Sequence, residues 1–180
     1  MPRAAVTLAR VVEVTAWSLC GQRALREAAP KLQGFAVQAA IRLLRASQWT
    51  AAEGAFRAMK LMLQCLLTDP AGTGVGIAEA VKQSVRTLGF AKAMVAPCSA
   101  ALVSPGVPPG VVESVLTVLC NLTLVEPLTV REYCDGTRVL ASLGKAAAAA
   151  GPTALSTLVV LLGNCFTDNA MAAVSYTHLR

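Results

Sequence analysis

Val115-Leu116-Thr117-Val118-Leu119-Cys120-Asn121-Leu122 and Leu158-Val159-Val160-Leu161-Leu162-Gly163-Asn164-Cys165 are two apolar runs that superimpose at a shift of 43 residues. Each is helical in length, carries one amide side chain near its C-terminal end and is followed by a short polar break. Carried backwards, the register reaches Gln64, 57 residues before Asn121, inside the apolar run 55–67. A further 43 residues back it reaches Gly21, at the end of 11–20. Recurrence at about 40–47 residues is the spacing of stacked helical units, none of which can bury its apolar face alone. The middle interval is longer. Residues 104–110 include Pro105, Pro108 and Pro109, so an insertion loop is expected there.

The segment between the two asparagines resolves further. Thr129-Val130-Arg131-Glu132 has the form of a capping box, with Thr129 as N-cap and Glu132 reaching back to its amide. Asp135-Gly136 supplies a turn that keeps this helix short. Thr137 then caps a second helix from Arg138 to about Ala149, and Gly151-Pro152 stops it and starts the next. The order is a short helix, a medium helix and a long apolar helix ending in Asn.

That order resembles the armadillo repeat. Arg131-Glu132-Tyr133-Cys134-Asp135-Gly136-Thr137-Arg138-Val139-Leu140-Ala141-Ser142-Leu143 is similar to that family's passage from first to second helix, where a glycine turns the chain. Residues 22–29 followed by 32–45 read the same way after the first long helix. The resemblance spans about residues 4–173. It implies an all-α fold, an armadillo-like right-handed superhelix (α-solenoid) of about four repeats in one domain, 1–173, truncated at its C-terminus.

Residues 174–180, Val-Ser-Tyr-Thr-His-Leu-Arg, have no repeat character and read as the translation of a transposon-end sequencing adapter, so a non-native tail is expected. On that reading Thr167-Asp168-Asn169-Ala170-Met171 opens a further repeat, and the native chain continues past Ala173. His178 is the chain's single histidine, so residues 1–173 offer none for a triad, a metal site or a neutral-pH switch.

Composition adjusts this picture only in places. The mean hydropathy of +0.58 raises a membrane reading, but no apolar run reaches the roughly 20 residues a spanning helix needs. Helices buried on two sides in a solenoid give the same apolarity, so no membrane span is expected. The six cysteines, Cys20, Cys65, Cys98, Cys120, Cys134 and Cys165, show no CxxC spacing, and no metal or cofactor is expected. Reduced, buried thiols imply a cytoplasmic protein, with the nucleus as the second compartment. Residues 1–92 carry 12 basic and 5 acidic side chains, and residues 93–173 carry 3 and 5. Arg23, Arg26, Arg42, Arg45, Arg57 and Lys60 recur at helical spacings of three without interleaved aromatics, so solvated faces are expected rather than a nucleic-acid surface.

No catalytic constellation emerges. Gly72, Gly74 and Gly76 lack the strand and the Gly-Lys-Ser/Thr of a phosphate loop. Cys98, Ser99 and Ser104 lack a partner base. In the armadillo family, asparagines of the third helices can hydrogen-bond the backbone of an extended peptide. The resemblance implies that role for Asn121 and Asn164, with Gln64 as a substitute. The nuclear-import branch also places a tryptophan four residues before the asparagine. Thr117 and Val160 stand there instead, and Trp17 precedes Gly21, which has no amide. The same amides could equally tie neighbouring repeats together. The expectation is a non-catalytic scaffold for a protein or peptide partner. A co-chaperone or assembly-factor domain of a larger protein and a small all-α membrane-associated protein are the alternatives.

Overall fold

A computed structural model of the chain describes residues 3, 4, 7, 10, 11, 19–46, 48–67, 82, 83, 86, 87, 89–134 and 137–166. Trp17, the glycine cluster 72–76, the start of a further repeat at 167–171 and the tail 174–180 lie outside these residues. Seven helices are formed among the described residues: α1 (Leu19–Arg45), α2 (Trp49–Leu67), α3 (Phe90–Val103), α4 (Pro109–Thr123), α5 (Pro127–Cys134), α6 (Thr137–Ala150) and α7 (Pro152–Phe166). No strand occurs among them. The all-α expectation holds.

The helices are fixed by punctuation as much as by propensity. Gly151 alone separates α6 from α7, with φ at 113°, a conformation that a Cβ disfavours. Its N–H donates to the carbonyl of Ala147, and its own carbonyl accepts from Leu155. The one residue therefore closes one helix and opens the next, with Pro152 at the first helical position. Pro109 opens α4 in the same way after the Ser104–Pro108 connection, where Gly106 takes φ 71°. That connection is short.

Two local expectations are corrected. Residues 22–29 and 32–45 are not separate helices, because α1 runs unbroken from Leu19 to Arg45 across Pro30. A proline inside a helix forfeits one hydrogen bond. Here the alanine- and leucine-rich flanks and the packing of α1 on α2 and α3 outweigh that cost. The capping box at Thr129 is also displaced. α5 begins at Pro127, and Glu126 is its cap, its carbonyl accepting from the Val130 N–H. Thr129 Oγ1 donates to Glu126 Oε2 at 3.1 Å, while Glu132 faces solvent. Proline at the first position, with a carboxylate beside the positive end of the helix, makes the earlier start the better one.

Packing follows the sequence register. α2 lies against α4, and α4 lies against α7, so the helices carrying Gln64, Asn121 and Asn164 are neighbours in turn. α1 packs on α2 and α3, α3 on α4, and α6 on α4 and α7, while short α5 touches α3, α4, α6 and α7. The core is continuous across these contacts: Phe56, Met59, Met62 and Leu63 of α2, Met94 of α3, Leu116, Leu119 and Leu122 of α4, Leu143 of α6 and Leu161 of α7 are fully buried. Arg86 Nε donates to the Val125 carbonyl at 3.1 Å, fastening the chain before α3 to the α4–α5 link.

Gly151→Ala forces an L side chain into the positive-φ region and is expected to cost about 1–3 kcal/mol. A urea titration should show a lower midpoint at unchanged slope.

Candidate functional site

α4 and α7 meet through a polar thread inside an apolar interface. Asn164 Nδ2, 4% exposed, donates to Thr123 Oγ1 at 3.0 Å, and the Thr123 hydroxyl donates to the Cys120 carbonyl at 2.6 Å. Cys120 Sγ lies 3.8 Å from the same Asn164 nitrogen. Thr123 is thus both acceptor and donor, and the chain of hydrogen bonds ends on a helix carbonyl that has a spare lone pair. Asn121, Thr123 and Asn164 are the buried polar side chains recorded among the described residues. Asn164 ties α7 to α4, and Asn121 is enclosed within α4, so neither amide is presented to solvent. Gln64 is half-buried on α2, and Trp17 is outside the described residues. The structure brings Asn121 and Asn164 to adjacent helices.

Val112, Leu116, Cys120 and Thr123 follow one another at spacings of four, four and three along α4, and all four are buried. Cys120 and Thr123, at the C-terminal end of this row, meet Asn164 of α7. Shifted by the 43-residue register, the same row on α7 is Leu155, Val159, Gly163 and Phe166. There the burial is reversed: Leu155 is 42% exposed and Val159 69% exposed, where Val112 is 1% and Leu116 0%. Gly163 is exposed too. On its other side α7 is seated normally, with Ala154, Leu158 and Leu161 buried. Its apolar surface is therefore wider than its neighbours cover.

A second cluster lies at the C-terminal ends of α5 and α7. Cys134 is fully buried on α5, and Cys165 is 5% exposed on α7. The hydrogen bond from Cys134 holds the Cys165 thiol below its ordinary range, and the Arg131 guanidinium acts in the same sense, against burial. Cys98, enclosed in α3, is the opposite case, pushed far up by desolvation alone. No cluster of three or more potential metal-ligating side chains occurs among the described residues.

Sequence reasoning marked the amides but missed Thr123, the exposed Leu155–Val159 row and the thiol pair. The row could have been found, because Leu155 and Val159 are apolar counterparts of Val112 and Leu116. The thiol pair could not, because Cys134 and Cys165 meet only through the packing of α5 on α7. Among known proteins, no family model, no curated protein and no solved structure matches the chain.

Thr123→Val leaves the buried Asn164 amide without its acceptor, and Asn164→Leu removes the donor. Each is expected to cost about 1–3 kcal/mol. The double variant should lose less than the sum, a coupling that a double-mutant cycle in urea reads directly.

Proposed function

We propose that the chain is a non-catalytic protein-interaction module built as an armadillo-like helical superhelix, which binds a protein or peptide partner through helix stacking. The observation that carries this reading is the exposed Leu155–Val159 row, whose counterpart on α4 is buried and continues to the residues that meet α7. A solenoid helix is apolar on two sides because it has a neighbour on each. On α7 the second side is apolar and exposed. A surface of that kind accepts an amphipathic helix laid across it in the way α7 lies on α4, with apolar anchors at spacings of three and four.

The arrangement of the remaining helices supports the same reading. The long helices α2, α4 and α7 contact one another in sequence, α1, α3 and α6 pack alongside them, and short α5 stands where a repeat's first helix belongs. Among the described residues no helix is long and apolar enough to cross a membrane, so the apolar rows have protein as their natural cover. The buried position of Asn121 and Asn164 moves the recognition surface away from the amides and onto the apolar row.

A photo-reactive residue replacing Val159 should cross-link a partner that the same probe at exposed Lys145 does not. Val159→Asp should weaken binding of that partner at least about tenfold, the equivalent of 1.4 kcal/mol, with the urea midpoint unchanged. Wild-type affinity in the Val159→Asp variant would exclude the row as the binding surface.

A further inference from the structure

We propose that the occupant of the Leu155–Val159 row is a second copy of this chain, laid antiparallel across it about a two-fold axis at Val159. The proposal rests on the reading of that row as a binding surface and names its partner. Symmetry comes first. Among the described residues, Leu155 and Val159 are the only exposed large apolar side chains one turn apart on a helix, the others being Val11, Phe35 and Leu128. The opposite side of α7 is already used, with Ala154, Leu158 and Leu161 buried in the core. The apolar surface that a second copy can offer is therefore the same row, and two copies that meet through one patch are related by a two-fold axis.

The row also complements itself. Leu155, Val159 and Gly163 follow at spacings of four, the ridge that packs into the groove of a facing helix. Against its own reversal, the row sets Leu155 of each copy beside Gly163 of the other, and Val159 on its counterpart. Gly163 is exposed, does not take a positive φ, and a Cβ built there meets no atom within 4 Å. Neither backbone conformation nor crowding within the fold calls for glycine at this place, and glycine inside a helix is destabilising relative to alanine. What it leaves is a hollow that the tip of a leucine can enter. Charge points the same way. α7 has no charged side chain, and exposed Pro152 and Ser156 flank the row. Two copies meet there without like-charge repulsion, and their contact strips no charge of water. Three anchors and their flanks fall short of the roughly 20–30 residues a side of a stable interface, so the dissociation constant is on the order of 0.1–1 mM.

Sedimentation equilibrium of the intact chain from about 10 μM to 1 mM should show the average mass rising from 18.6 kDa toward twice that value. Gly163→Ala should raise the urea midpoint of the dilute chain yet weaken association roughly tenfold, because the hollow is filled. Leu155→Lys and Gly163→Glu should each sediment as monomers, and their equimolar mixture should associate again. In the mixed pair the new cation of one copy faces the new carboxylate of the other, while the far end keeps the native Leu155–Gly163 contact. The wild-type measurement does not depend on any variant folding. The proposal is overturned if the wild-type mass stays at 18.6 kDa throughout, or if the dimer survives both single variants. It is equally overturned if the photo-reactive residue at 159 cross-links residues 167–173 of its own copy. A monomeric chain whose probe still captures another protein sinks the second copy alone; one whose probe captures nothing sinks the surface reading with it.

Discussion

Helix α4 touches α2, α3, α5, α6 and α7, and ten of its fifteen residues are withdrawn from water. A helix in that position has only a narrow half-buried face for polar side chains, which Glu113, Ser114 and Thr117 occupy, while its buried positions from Val111 to Leu122 are apolar except for Asn121. The helices around it meet the same constraint from the outside, each contributing a stripe of Leu, Met, Val or Ala to one continuous core. At interior packing density such a core responds to the loss of even one methylene. The position of every other described feature follows from how its helix is seated on α4 or on a neighbour of α4.

Against so apolar a centre, polar atoms are few and individually expensive. The thread from Asn164 through Thr123 to the Cys120 carbonyl fixes how far α7 slides along α4, something apolar contacts specify only loosely. A shift of one helical turn would strand a buried amide, so the thread discriminates between registers that bury similar apolar area. The surface ion pair of Arg57 with Glu53, at 3.3 Å and one turn apart on α2, is of a different rank, since water screens both groups. Glu53 matters more through its other contact. Its carboxylate lies over Gly110 in the first turn of α4, where a Cβ would meet Oε1 at 2.9 Å, and it faces the positive end of that helix.

How much of this was legible follows from the range of each interaction. The 43-residue recurrence pointed to α4 and α7 as equivalent helices, and the pairing of α4 with α7 agrees with a stacked order. Gly151-Pro152 marked a boundary because both residues act through local backbone geometry. The start of α5 was misplaced by three residues, since Thr129 and Glu126 offer rival caps and only the route out of α4 decides between them. Residues 22–29 and 32–45 read as two helices, and α1 runs through both. The orientation of Asn164 and the meeting of Cys134 with Cys165 depend on contacts across 41 and 31 residues of chain, and no window of sequence holds them.

Gly151 carries a further consequence. Because it is at once the last turn of α6 and the first of α7, the two helices share a single pivot with no slack between them. Each residue added to or taken from such a junction would turn the following helix by about 100° about its own axis. One insertion would rotate Asn164 out of reach of Thr123 and carry Val159 around the helix in the same motion. The junction therefore works as a phase lock: side chains on either side of it can vary, but the number of residues between α6 and α7 cannot.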